Sequence, residues 1–217
     1  MNDNLEYSFL KKFYKNKKIL ITGATGFKGS WLAFWLYKIG AKVFTTGNNP
    51  NKNKNLFYGL NLHKKTNLEI FDIRDYNKLK KVIKKIQPNI IFHLAAQPLI
   101  LKSYNEPKET YEINTLGTLN LLESCRNMKS ITSLVCITSD KCYESNYSTK
   151  GFKETDRLGG KDPYSGSKAS AEIIINTYNE SFFKSSKLGL ASARAGNVIG
   201  GGDWSDNRLI PDAIRSI

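Results

Sequence analysis

Short apolar runs alternate along this chain with stretches whose apolar residues recur at helical spacing, the pattern of a parallel sheet wrapped by helices. Ile19, Leu20 and Ile21 make the first buried strand, which runs into glycines at 23, 26 and 29. Phe27, Trp31, Phe34 and Trp35 then follow a helical period, and Gly40 ends that helix. Ala41 to Thr45 reads as a second strand and Leu68 to Phe71 as a third. Leu79, Val82, Ile83 and Ile86 form the apolar stripe of the next helix, which Pro88 breaks. Ile90 to Phe92 opens a fourth strand, Leu134 to Thr138 is a fifth, and a long helix runs from Tyr164 to about Phe183. Leu188 to Ala193 is the sixth strand. The predicted fold is α/β, a doubly wound parallel sheet, with ligands expected at the carboxyl ends of the strands.

Composition narrows the function classes. Of 217 residues, 40% are apolar and 12% aromatic, ample for a buried core. Lys and Arg outnumber Asp and Glu by 33 to 19, a net charge of +14. Such a balance suits nucleic acid, an anionic membrane or phosphorylated metabolites. The lysines are spread along the chain rather than gathered, and no nucleic-acid-binding motif accompanies them, so nucleic acid is not expected as a partner. No apolar stretch approaches the roughly 20 residues a bilayer-spanning helix needs, and no membrane association is expected. Cys125, Cys136 and Cys142 form no CxxC pair. That argues for a reducing, cytoplasmic setting and against a disulfide framework or metal site.

Thr22-Gly23-Ala24-Thr25-Gly26-Phe27-Lys28-Gly29 follows a strand and opens a helix, the context a dinucleotide fingerprint requires. Gly23 permits the tight turn, Gly26 lets backbone approach a pyrophosphate, and Gly29 allows close helix–strand packing. The helix N-terminus then offers free N–H groups and partial positive charge to phosphates. The sheet is therefore expected to be an NAD(P)-binding Rossmann fold. Gly47, Asn48 and Asn49 stand where a ribose-binding acid is usual, so that rule does not decide between NAD and NADP. Lys52 and Lys54 could meet a 2′-phosphate or simply be solvated. Asp72, followed by Ile73, could hold an adenine amino group or cap the next helix.

Tyr164-Ser165-Gly166-Ser167-Lys168 puts a tyrosine and a lysine four apart, on one helix face. A nearby ammonium favours the phenolate, which can take a proton from a sugar hydroxyl while hydride leaves the same carbon. Such a pair also arises by chance in helices; its company with the glycine loop makes it a candidate for catalysis. His93 invites a metal or acid–base role. With only His63 besides, it reads instead as a strand-end histidine lining the cofactor cleft.

These features, with five longer segments, resemble the extended short-chain dehydrogenase/reductases and, within them, the CDP-glucose 4,6-dehydratases. The segments are Gly26-Phe27-Lys28-Gly29-Ser30-Trp31-Leu32, Phe92-His93-Leu94-Ala95-Ala96-Gln97-Pro98-Leu99, Ile137-Thr138-Ser139-Asp140-Lys141-Cys142-Tyr143-Glu144, Asp162-Pro163-Tyr164-Ser165 and Arg194-Ala195-Gly196-Asn197-Val198-Ile199-Gly200-Gly201-Gly202-Asp203-Trp204. Dehydratases of other nucleotide sugars carry Asp-Glu after the Ser/Thr, whereas Asp140-Lys141 matches the CDP-glucose branch.

The resemblance implies NAD as cofactor, held by Gly23, Thr25, Gly26, Phe27, Lys28, Gly29, Asp72, Ile73, Leu94, Ala95, Ala96, Gln97, Tyr164 and Lys168. It implies a nucleotide-sugar substrate, CDP-glucose, met by Gln97, Asn114, Asn197 and Arg208, the last suited to a diphosphate by its bidentate geometry. Ser139 would hold the C4 oxygen and Tyr164 take the C4 hydroxyl proton. Lys141, neutral beside the cation of Lys168, would take the C5 proton, and a protonated Asp140 would donate to the departing C6 hydroxyl. A surface salt bridge is the competing reading of Asp140-Lys141. Residues 1–193 would then be the NAD-binding domain and 194–217 only the beginning of a smaller substrate-binding lobe. On that reading cofactor binding survives in this chain, turnover is impaired without the closing lobe, and an apolar edge is exposed. A homodimer built on the helices of Asn114 and Tyr164 is implied too. Alternatives left open are a sugar-nucleotide epimerase of the same superfamily and a non-catalytic NAD(P)-binding module.

Overall fold

Ile19, Leu20 and Ile21 have no exposed surface at all, which successive residues of a strand achieve only when both faces of their sheet are covered. They lie in β1 (Lys18–Thr22). Leu20 belongs to one apolar layer with Leu79, Ile83, Leu121 and Ile175. Ile19 and Ile21 belong to the opposite layer with Ala33, Leu36, Phe57 and Leu62. The computed structural model describes residues 3–50, 52–144 and 151–217.

Within them the chain runs α1 (Asp3–Tyr14), β1, α2 (Phe27–Lys38), β2 (Lys42–Gly47), α3 (Leu56–Gly59), α4 (Leu62–Lys65), β3 (Asn67–Ile70), α5 (Tyr76–Ile86) and β4 (Ile90–His93). It continues α6 (Ile100–Asn105), α7 (Pro107–Tyr111), α8 (Gly117–Cys125), β5 (Ser133–Ser139), α9 (Pro163–Tyr178), β6 (Gly189–Ala195) and α10 (Leu209–Arg215). The six strands are parallel in the order β3-β2-β1-β4-β5-β6. The order reverses between β1 and β4, so the loops leaving those two strands diverge and open a crevice at their carboxyl ends. The expected doubly wound sheet, a Rossmann fold, is what the chain forms.

Local chemistry sets the helix starts. Asp75 accepts the Lys78 N–H at the head of α5, and Asp162 accepts the Ser165 N–H at the head of α9, whose first position is Pro163. Asp75, not Asp72, is thus the helix cap after β3.

The aromatics of α2 do not form its buried face. Trp31 and Trp35 are exposed, and the buried face is Gly29, Ser30, Ala33 and Leu36. The reason is close approach: a Cβ on Gly29 would stand 2.3 Å from the Gly23 carbonyl oxygen. A helix seated that tightly on a turn admits only small residues beneath it, and its aromatics are left on the flank. The long helix runs on to Phe183 as expected, its last turn, Asn179–Phe183, widened into a π turn.

Candidate active site

The glycine loop is built for backbone proximity. Gly23 has φ +70°, a region that L side chains rarely adopt, and a Cβ there would lie 2.5 Å from the Ala95 nitrogen. The loops after β1 and β4 therefore touch main chain to main chain. Gly26 begins α2 with no side-chain cap, so the first-turn N–H groups stay available to an anion in the crevice. Thr25 is fixed behind the loop: its hydroxyl donates to the Asn48 carbonyl at 3.1 Å, and the Asn55 amide donates to its carbonyl at 2.8 Å. Thr25 also explains the missing acid after β2, because a Cβ on Gly47 would meet the Thr25 hydroxyl oxygen at 2.3 Å.

A cavity of about 800 Å³ runs from this loop across the sheet ends to α9. Gly23, Thr25, Gly26, Phe27, Lys28, Gly29, Asp72, Ile73, Leu94, Ala95 and Ala96 line one part; Ser139, Lys141, Tyr164, Lys168, Asn197 and Arg208 line the other. Lys52 and Lys54 are not in its wall; the Lys52 ammonium sits 5.6 Å over the Tyr58 ring. Asp72 does line it, yet the Arg74 guanidinium hydrogen-bonds its carboxylate at 2.7 Å and holds the carboxyl below its usual range. Four cations and two acids, Asp72 and Asp203, face the cavity. The Arg208 Nε is buried with no hydrogen-bond partner. An orphaned guanidinium nitrogen, an uncapped helix N-terminus and a surplus of positive charge together fit a long, multiply charged anion such as a dinucleotide beside a nucleotide sugar.

Beyond the glycine loop, β5 ends at Ser139, whose hydroxyl accepts the Lys141 N–H at 3.2 Å and so shapes the turn Asp140–Cys142. Tyr164 and Lys168 come from the first two turns of α9, both buried. Tyr164 and Ser139 line the same part of the cavity. Here one expectation is corrected. Burial pushes the Tyr164 phenol up, and Ser139 and the charge of Arg208 act against that shift only partly. The Lys168 ammonium points instead at the Ile137 carbonyl, 3.4 Å away, and burial, with the charge of Lys28, lowers it to about 8. Helical spacing placed the two groups on one face; the low polarity of that face opposes charge on both.

Lys141 lines the cavity, whereas the carboxyl of Asp140 stands at its edge beside Gly196, half exposed, accepting from the Ser139 hydroxyl at 3.2 Å. The Lys141 ammonium is 3.8 Å from that carboxylate.

His93 does not line the cavity. It is buried between Thr22, 2.7 Å from Nδ1, and Thr118, 3.1 Å from Nε2. Desolvation holds it neutral, lowering it to about 3. Since the Thr118 hydroxyl already donates to the Asn114 carbonyl, Nε2 carries the hydrogen. Gln97, expected at both cofactor and substrate, and Asn114, expected at the substrate, do not line the cavity and are spent on structure. The Asn114 amide joins both backbone groups of Gln97 and the Ser167 hydroxyl, and the Gln97 side chain is bonded to Leu99 and Thr110. Through Ser167, which donates to the Tyr164 carbonyl, this buried network ties the loop after β4 to the helix of the candidate tyrosine. Asn114 sits in a π turn, Glu112–Leu116, a widening often found at functional sites. No cluster of metal ligands occurs among the described residues. The three cysteines are buried and unpaired, and burial raises their thiols.

Sequence reasoning missed how the glycine run after β6 is used. Trp31 donates to the Gly201 carbonyl at 2.9 Å, a Cβ on Gly200 would lie 3.1 Å from the Phe27 ring, and one on Gly202, at φ +84°, 2.6 Å from Leu56. The run is a strap pressed onto α2 and α3 beside the cavity, and the exposed aromatics of α2 are its seat. It also missed the ion pair of Glu172 with Arg194, 2.8 Å apart and buried behind the site. A glutamate one turn beyond Lys168 was the signal available.

The chain is similar to known proteins over nearly its whole length. It is 46% identical to CDP-glucose 4,6-dehydratase of Salmonella typhimurium, a match covering 95% of this chain and 59% of that relative. Among solved structures it resembles the epimerase Mth375 of Methanothermobacter thermautotrophicus at a TM-score of 0.79 and 26% identity, covering 95% of this chain and 60% of that one. It also resembles UDP-glucose 4-epimerase of Thermus thermophilus, solved as a complex with NAD, at 0.70 and 27%, covering 85% and 59%. The chain thus spans about three fifths of the length of these proteins. Residues 20–202 match the family described as GDP-mannose 4,6 dehydratase, and to that family the chain belongs.

Proposed function

We propose that the chain is the catalytic part of a sugar-nucleotide 4,6-dehydratase that converts CDP-glucose to CDP-4-keto-6-deoxyglucose with NAD as its resident cofactor. The observation that carries this reading is that Ser139, Lys141, Tyr164 and Lys168 share one cavity with the glycine loop, in a chain 46% identical to a CDP-glucose 4,6-dehydratase. NAD would be held by the glycine loop, Asp72, Ile73 and Leu94 to Ala96, and would supply the two-electron acceptor and donor that a hydride shift from C4 to C6 requires.

The protein's own part is proton chemistry and placement. Ser139 holds the C4 oxygen while Tyr164 takes the C4 hydroxyl proton, and Lys168, four residues along the same helix, lends its charge to the phenolate once cofactor and substrate fill the site. The 4-keto group acidifies C5, Lys141 removes the C5 proton, and Asp140 gives a proton to the C6 hydroxyl, which leaves as water; when hydride reaches C6, Lys141, in exchange with solvent, returns a proton to C5. Arg208 takes the diphosphate and Asn197 the sugar. Gln97 and Asn114 act at one remove, by holding the loop after β4. Residues 1–193 serve as the NAD-binding domain and 194–217 begin the substrate-binding lobe, where Ile199, Leu209 and Ile214 stand exposed. The protein acts in the cytoplasm as a homodimer through the exposed Leu101, Tyr104, Tyr111, Leu116 and Ile173 of α6 to α9. Among the described residues no helix is long and apolar enough to cross a membrane.

The half-exposed carboxyl of Asp140 favours a second reading, a sugar-nucleotide epimerase, which needs Ser139, Tyr164 and Lys168 alone. Incubating the whole protein with CDP-glucose and NAD separates the two. The expected product is the 4-keto-6-deoxy sugar nucleotide, one water lighter than the substrate. The C4 isomer as sole product establishes the epimerase, and unchanged CDP-glucose contradicts both.

A further inference from the structure

Glu172 lies on α9 two turns beyond Tyr164, and its buried carboxylate accepts three hydrogen bonds. The Thr138 hydroxyl of β5 donates to one oxygen; the Ser192 hydroxyl and Arg194 guanidinium of β6 donate to the other at 2.9 and 2.8 Å. The side chains of Glu172 and Arg194 are 4% and 16% exposed. A buried ion pair is weak evidence for stability, since well-packed apolar residues of equal volume often serve as well. What apolar residues cannot do is what the rest of the guanidinium does here. Its other terminal nitrogen donates to the Tyr143 hydroxyl at 2.9 Å and to the Glu154 carbonyl at 3.0 Å, and its plane lies 4.9 Å over the Tyr143 ring. Tyr143 is the residue immediately after the turn Asp140–Cys142, and its other contacts hold it still: it stacks on Phe152, with ring centres 4.6 Å apart, and bridges to Leu158.

One chain of contacts thus links the helix of Tyr164 and Lys168 to the turn of Asp140 and Lys141: Glu172, Arg194, Tyr143. We propose that these three are positioning residues, which set the reach of the Asp140–Lys141 turn relative to Tyr164 and so govern elimination separately from C4 oxidation. The proposal rests on the dehydratase reading. A misplacement of about 1 Å far from the reacting atoms is enough to slow a step by one to two orders of magnitude.

Tyr143→Phe tests it most cleanly, because the ring, its stacking on Phe152 and its contact with the guanidinium plane stay and only the hydrogen bond from Arg194 to the hydroxyl goes. Arg194→Lys is the companion, keeping the charge opposite Glu172 but not the fork. In single turnovers of the whole protein with CDP-glucose, reduced nicotinamide reports C4 oxidation, and exchange of the C5 proton with solvent reports elimination. Each variant is expected to slow C5 exchange about tenfold while C4 oxidation changes less than twofold, so that reduced cofactor accumulates as it does not in the parent. Oxidation and exchange falling in proportion, or neither falling in a folded variant, overturns the proposal and leaves the dehydratase reading standing. A parent protein that oxidises C4 without ever eliminating overturns both.

Discussion

Tyr164→Phe will lower the rate of C4 oxidation by roughly a thousandfold, the scale at which removing a positioned acid–base group acts, while cofactor and CDP-glucose bind within a few-fold of the parent. The phenol is a buried group on the cavity wall. Phenylalanine keeps the ring that fills the space, and the α9 backbone is held independently: the Tyr164 N–H donates to the Ser103 hydroxyl and its carbonyl accepts from Ser167. The loss therefore falls on the chemical step. Because burial raises the phenol, its ionisation has to come from what binds and from Lys168 acting on the loaded site. Stopped-flow absorbance of reduced nicotinamide measures the step. A variant oxidising C4 within tenfold of the parent would remove Tyr164 from the role of base.

Lys168→Met will have two opposite effects: turnover falls by at least a hundredfold, and the ligand-free protein becomes more stable at neutral pH. Lys168 is fully buried and lowered from 10.5 to about 8. Below pH 8 its amine is charged in both the folded and the unfolded chain, and the folded protein bears the whole cost of burying that charge. Between pH 8 and 10.5 the unfolded chain holds the additional proton, so stability rises with pH across that window, and above it the cost is gone. The cost below pH 8 is roughly 3 kcal/mol, which corresponds to a Tm higher by about 6–12 °C in a domain of this size. The hydrogen bond given up, to the Ile137 carbonyl at 3.4 Å, is long and returns little. Melting curves of parent and variant at pH 7 and pH 10.5 decide the matter: the gap should be present at the first and nearly closed at the second. A variant less stable than its parent at pH 7 would mean that the amine is compensated where it lies.

Much of this was legible in the chain itself because strand burial and glycine spacing are local signals. Ile19, Leu20 and Ile21 announce a strand covered on both sides, and the three glycines that follow announce the turn and close helix. The carboxyl-end crevice then follows from topology. What periodicity could not convey was which face of α2 is buried, since the decisive residue, Gly29, has no side chain to enter a hydrophobic pattern. Gln97 and Asn114 show a second limit. A motif places a polar residue near a site, yet whether its amide meets ligand or backbone depends on partners such as Thr110 and Ser167 that are distant in sequence. The pairing of Tyr164 with Lys168 shows a third: spacing fixes a shared face, but the polarity of that face decides the charge.

The central claim is that one cavity oxidises C4, eliminates water across C5 and C6, and returns the same hydride. CDP-glucose carrying deuterium at C4, turned over by the whole protein in ordinary water, tests it directly. The account predicts a 4-keto-6-deoxy product with that deuterium on C6 and solvent hydrogen at C5. Deuterium retained at C4, or lost to water with none at C6, would contradict it.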